Sequence, residues 1–218
     1  MKYKIVFIDE EIDQHLEFQK YFKRISDHVS LVCLLPKAEL DEMIEVIDEQ
    51  HPDAIVCDYR LNEYREDIDY NVSYTGAALV EEYQRLHPKF PCFVLTSHDQ
   101  EAVNTSQDVN VVYVKNVLND AGIEDSARFS DRIFQQVDHY RKSIEEAQSE
   151  LTALIEKREM GETDIYEEQK MLDLDTFLEQ SLGSESALPK EMKKLSVMTT
   201  LDAMLAAADK IISKFEDK

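Results

Sequence analysis

Five short apolar runs, each continuous rather than alternating, constrain this chain more than any other feature of it. They are Ile5-Val6-Phe7-Ile8, Val29 to Leu34, Ala54-Ile55-Val56-Cys57, Cys92-Phe93-Val94-Leu95 and Val111-Val112-Tyr113-Val114. A strand that is apolar at every position is buried on both faces, as strands of a parallel sheet are. Amphipathic stretches at roughly 11–25, 37–50 and 76–87, and a weaker one near 98–106, lie between the runs. Leu40, Ile44 and Ile47 recur at helical spacing, as do Leu79, Tyr83 and Leu86. His51-Pro52 and His87-Pro88 then stop two of the helices, because proline disfavours helix at the residue before it. The repeat predicts an α/β fold, a doubly wound five-stranded parallel sheet, over residues 1–126.

Residues 127–218 read differently. From Phe129 the apolar positions are Phe129, Ile133, Val137, Tyr140, Ile144, Ala147, Leu151 and Leu154, close to a heptad seam. One long helix is expected to about Glu159, a second from Asp164 to Leu182, and a third from about Pro189 to Phe215. The seam has two readings: a coiled coil with a second copy, or a helical hairpin or bundle within the chain. Gly numbers only 4, in keeping with a helix-rich chain.

Charge narrows the partners. The chain carries 46 Asp+Glu against 24 Lys+Arg, a net charge of -22. From Glu150 onward there are nine Lys+Arg and sixteen Asp+Glu. Binding to nucleic acid rests on Lys and Arg displacing counterions, so no nucleic-acid partner is expected. No apolar run is long enough to span a membrane. The cysteines Cys33, Cys57 and Cys92 are odd in number and far apart, which makes neither a disulfide framework nor a zinc site. A cytoplasmic protein is expected.

In a doubly wound sheet, chemistry gathers outside the carboxyl ends of the strands. Those ends carry Asp9 and Glu10, then Asp58, then Thr96-Ser97, then Lys115. Clustered carboxylates resist staying charged unless a cation joins them, and oxygen donors alone suit Mg²⁺. Lys115 and Thr96 would add charge and a hydrogen bond for an incoming anion. A carboxylate so placed is a nucleophile for phosphoryl transfer.

Residues 1–126 resemble a response-regulator receiver domain, the CheY-like, flavodoxin-like module of two-component signalling. The motifs that carry the resemblance are Phe7-Ile8-Asp9-Glu10-Glu11, Ile55-Val56-Cys57-Asp58-Tyr59-Arg60-Leu61, Gly76-Ala77-Ala78-Leu79-Val80, Val94-Leu95-Thr96-Ser97 and Tyr113-Val114-Lys115. The resemblance implies that Asp58 accepts a phosphoryl group from a sensor histidine kinase or phosphotransfer protein. It implies that Asp9, Glu10, Asp58 and the backbone carbonyl of Arg60 hold Mg²⁺, and that Thr96 and Lys115 bind the phosphoryl oxygens. Output would pass through the helical region to a downstream protein or a homodimer. A phosphate sink and a degenerate receiver acting as a scaffold are the alternatives.

Five departures from the family pattern stand out. Glu10 replaces the commoner Asp, Asn116 follows Lys115 where proline is usual, and the chain from Thr96 to Lys115 is short. Val112 holds the place of the usual switch aromatic, with Tyr113 one position off and therefore on the opposite face. An acidic, tyrosine-bearing insertion over 62–75 is the fifth; it reads as a partner-selecting loop or as a solvated one. His139 reads as a solvated helix histidine. A phosphohydrolase of the haloacid-dehalogenase type would need an acid two residues after Asp58, where Arg60 stands.

Overall fold

The computed structural model describes residues 2–25, 28–62, 70–97, 112–118 and 128–182. The 98–106 helix, the 189–215 helix and most of the acidic insertion lie outside the described residues. Strands β1 (Tyr3–Ile8), β2 (Val29–Leu34), β3 (Ala54–Asp58), β4 (Cys92–Thr96) and β5 (Val112–Val114) form one parallel sheet in the order β2-β1-β3-β4-β5. This is the flavodoxin-like strand order, and its crevice opens where the order reverses, between β1 and β3.

Alternation along each strand sorts the core into two layers. Val6 and Ile8, Ile55 and Cys57, Cys92 and Val94 face helices α2 (Leu40–Glu49) and α3 (Gly76–Leu86). Ile5 and Phe7, Ala54 and Val56, Phe93 and Leu95 face α1 (Ile12–Ile25) and the start of α4 (Phe129–Glu159). Both faces are covered, which is why the strands read as unbroken apolar runs. Cys57 and Cys92 are free thiols buried in the first layer, where burial pushes both upward. Val112 packs with the first layer and Tyr113 with the second, so the two side chains lie on opposite faces, as expected.

The first compact unit runs to Arg141, beyond the boundary at 126 that the change in sequence character suggested. The reason is packing: Phe129, Ile133 and Val137 are all buried against the sheet. A polar clasp fixes α4 at the opposite end of the sheet from the strand carboxyl ends. Arg141 pairs with Asp53 at 2.8 Å and lies over the Tyr3 ring at 5.3 Å, while the Tyr3 hydroxyl donates to Asp138 at 3.1 Å.

The second unit contains the remainder of α4 and α5 (Ile165–Leu182), a helical hairpin. Ala147, Leu151 and Leu154 pack with Met171 and Leu178. The heptad seam is thus consumed within the chain, its first half against the sheet and its second against α5. Glu168 and Asp175 are buried on the same side of α5 as Met171 and Leu178. Among the described residues no helix is long and apolar enough to cross a membrane.

Candidate functional site

The sheet register brings the expected residues to one edge. Asp58 is the last residue of β3 and pairs with Leu95, so Thr96 stands one step further along β4. Thr96 in turn pairs with Val114, and Lys115 follows directly. Asp9 and Glu10 follow β1, the other neighbour of β3. Asp9, Glu10, Asp58 and Thr96 are all buried, none more than 6% exposed.

Lys115 organises the charges. Its ammonium lies 2.8 Å from Asp58 Oδ1 and 3.2 Å from Asp9 Oδ2, bridging the two carboxylates. Burial works against the charged ammonium, but Asp58 and Asp9 outweigh it and hold the Lys115 pKa above its ordinary value. The second oxygen of each acid is held by a backbone amide. The Glu11 N–H donates to Asp9 Oδ1 at 2.9 Å, and the Arg60 N–H donates to Asp58 Oδ2 at 2.6 Å. Both carboxylates are therefore fixed in rotation, which preorganises them for a ligand.

Two buried carboxylates, Asp9 and Asp58, against one ammonium leave a net negative site. Asp9 shows the strain: burial pushes its carboxyl up to about 6, with Lys115 opposing, Asp58 adding and the Glu11 amide opposing. An all-oxygen donor set with surplus negative charge fits Mg²⁺, which takes few carboxylates and retains water. Among the described residues no three His, Cys, Asp or Glu side chains are grouped so as to hold a metal ion, and Mg²⁺ takes few carboxylates and fills its other positions with water.

The raised Asp9 has a measurable consequence. Its pKa in the folded protein exceeds the ordinary 3.8, so the folded state binds the proton more tightly. The stability linked to Asp9 is thus gained as pH falls through about 6 and absent at neutral pH. In metal-free buffer at neutral pH, Asp9→Asn is expected to be more stable than the parent by about 1 kcal/mol or more. Urea titrations should show the gap closing as pH approaches the ordinary carboxylate range, and narrowing when Mg²⁺ is added.

Residues that sequence reasoning missed also shape the site. The His15 imidazole donates from Nε2 to the Asp9 carbonyl at 2.9 Å and meets Phe7 edge-on, pinning the turn that carries Asp9 and Glu10. Burial lowers the pKa of His15, with the Asp9 contact opposing. Gly76 opens α3 directly against β3; a Cβ there would stand 1.9 Å from the Asp58 carbonyl oxygen. The end of the 62–75 insertion is not a loose loop. Val72 and Tyr74 are buried, and the Tyr70 and Tyr74 hydroxyls donate to the Pro36 and Lys37 carbonyls at 2.7 and 2.9 Å. Residues 63–69, with Glu63, Tyr64, Arg65, Glu66, Asp67 and Asp69, lie outside the described residues, as does His98.

No protein-family model matches the chain, and no curated protein matches it. Similar solved structures include NtrX from Brucella abortus in complex with ADP, at 17% identity over 72% of this chain, with a TM-score of 0.46. The chain spans about a third of the NtrX chain, 34% of its length. The signal receiver domain of NarL from Mycobacterium tuberculosis is 19% identical, covering 64% of this chain and 97% of that one, with a TM-score of 0.37. The response regulator RcsB in its DNA complex is 12% identical, covering 88% of this chain and 96% of that one, with a TM-score of 0.43. In its five-stranded parallel sheet the first unit is similar to the fold of response-regulator receiver domains.

Proposed function

We propose that this chain is a two-component response regulator that accepts a phosphoryl group on Asp58. The observation that carries the reading is the Lys115 bridge between Asp58 and Asp9, at 2.8 and 3.2 Å, beside the buried Thr96. In the step itself, an Asp58 carboxylate oxygen attacks phosphorus of a phosphohistidine. The new P–O bond forms as the P–N bond breaks, and the imidazole leaves with the electron pair. Lys115 supplies a cation to the charge that gathers on the phosphoryl oxygens, and Thr96 a hydroxyl donor. Asp9, Glu10, Asp58 and the Arg60 carbonyl are the groups that would hold Mg²⁺, which when bound neutralises phosphoryl oxygens. The Arg60 amide keeps Asp58 in one rotamer for attack.

Output is proposed to pass through protein contacts of the helical region, with a sensor kinase or phosphotransfer protein upstream. The net charge of -22 disfavours a DNA target. Arg60, two residues after Asp58, argues against a phosphohydrolase, since arginine cannot serve as a general acid. Intact mass after acetyl phosphate and Mg²⁺ tests the proposal. One added phosphoryl group is expected on the parent, and none on Asp58→Asn or in chelator. An unchanged parent mass would leave the scaffold as the better reading, and steady turnover of a phosphate ester would favour a hydrolase.

A further inference from the structure

The turn between α4 and α5 is rigid and apolar at once. The Glu162 N–H donates to the Lys157 carbonyl at 3.1 Å and the Gly161 N–H to the Arg158 carbonyl at 2.9 Å. With Gly161 at a φ of 74°, these bonds make a Schellman close to α4. A capping box then opens α5: the Glu167 N–H donates to Asp164 Oδ1 at 2.8 Å, and the Asp164 N–H returns to Glu167 Oε2 at 3.2 Å. Lys157 pairs with Glu167 at 2.6 Å across the turn.

On this fixed turn three large apolar side chains face solvent: Tyr166 at 83% exposure, Met160 at 71% and Ile165 at 47%. Isolated exposed apolar residues need no explanation, but an aromatic and two aliphatics gathered on one preorganised turn resemble an interface anchor. Holding such anchors still before binding lowers the entropy lost on association. Glu156, Glu159, Glu162 and Asp164 are exposed in the same short stretch, against Arg158 alone, since Lys157 pairs with Glu167.

We infer that the hairpin turn is a docking point for a different protein, one that offers an apolar pocket rimmed by Lys or Arg. Charge selects this occupant over a second copy, which would bring an identical acidic rim within a Debye length. An anionic membrane surface is disfavoured by the same sign of charge. The inference does not depend on whether Asp58 is phosphorylated.

The test places the photo-crosslinker benzoylphenylalanine at Tyr166 of the full chain in its native cells, with exposed Gln148 as the control site. The expected adduct joins Tyr166 to another protein, at a pocket flanked by basic residues. That protein, purified, should bind the parent chain more weakly as salt rises to about 0.5 M. It should bind the Met160→Ser/Tyr166→Ser variant about tenfold more weakly or worse, with the variant's circular dichroism unchanged. Adducts to a second copy or to lipid would overturn the inference. So would a yield no higher than at Gln148, or a pocket without basic residues whose binding ignores salt.

Discussion

Lys115→Ala is expected to slow phosphoryl acceptance at Asp58 by about a hundredfold or more, the usual cost of removing one preorganised charge at a reacting centre. The same substitution should reduce stability, because Asp9 and Asp58 lose the ammonium that bridges them at 3.2 and 2.8 Å. Removing one partner of a buried pair typically costs about 3–5 kcal/mol, but Lys115 is 19% exposed and its partners have amide donors, so about 2 kcal/mol is expected. The sign of the pH dependence identifies the cause. Without Lys115, the two carboxylates repel each other and bind protons more readily, so the lost stability should return as pH falls. Urea titrations of parent and variant across the acid range, in metal-free buffer, check this. A deficit constant in pH would mean that Lys115 contributes only packing.

Gly76→Ala should be more damaging still. The added methyl would meet the Asp58 carbonyl oxygen at 1.9 Å and the Cys57 sulfur at 3.0 Å. The first of these is backbone, which cannot swing aside as a flexible side chain does. Helix α3 must therefore back away from β3 or the strand end must bend. Overpacking a core ordinarily costs about 1–3 kcal/mol, and a clash with backbone lies at or above the upper end. The Gly76 N–H also donates to the Tyr59 carbonyl at 2.9 Å, so a shift at Gly76 pulls on the turn that positions Asp58. A lower urea midpoint together with slower phosphoryl acceptance is the expected pair of results. Near-parental stability would show that α3 relaxes away freely.

Much of the sheet was legible because its strands are buried on both faces, and nothing but a continuous apolar run satisfies that. The strand-end chemistry followed, since Asp9, Asp58, Thr96 and Lys115 each sit where an apolar run stops. The division of the long helix was not legible. Packing on a sheet, pairing with another helix and pairing with a second copy all require an apolar stripe of nearly the same period. Phe129, Ile133 and Val137 are therefore indistinguishable in sequence from Ala147, Leu151 and Leu154, although they serve different cores. The hairpin itself was legible, because Gly161 and Asp164 mark its turn.

Contacts between residues far apart in the chain left no local signal. The Tyr3 bond to Asp138 spans 135 residues, and the Tyr74 bond to Lys37 spans 37. The His15 contact with the Asp9 carbonyl likewise matches no ligand motif, since its partner is backbone. Glu168 and Asp175 are buried, although acids seldom lose their water and nothing in the local sequence marks these two. The 62–75 insertion reads as a partner-selecting loop or as a solvated one, and neither reading shows that Val72 and Tyr74 anchor its end in the core. Two anchors in a short irregular segment make no period.

Locating the phosphoryl group tests the central claim most directly. The chain would be incubated with acetyl phosphate and Mg²⁺, reduced with borohydride, digested and sequenced by mass spectrometry. Borohydride converts an aspartyl phosphate to homoserine, so the expected result is homoserine at position 58 and nowhere else. Homoserine at another acid, a phosphate ester on a serine or threonine, or an unmodified Asp58 would contradict the account.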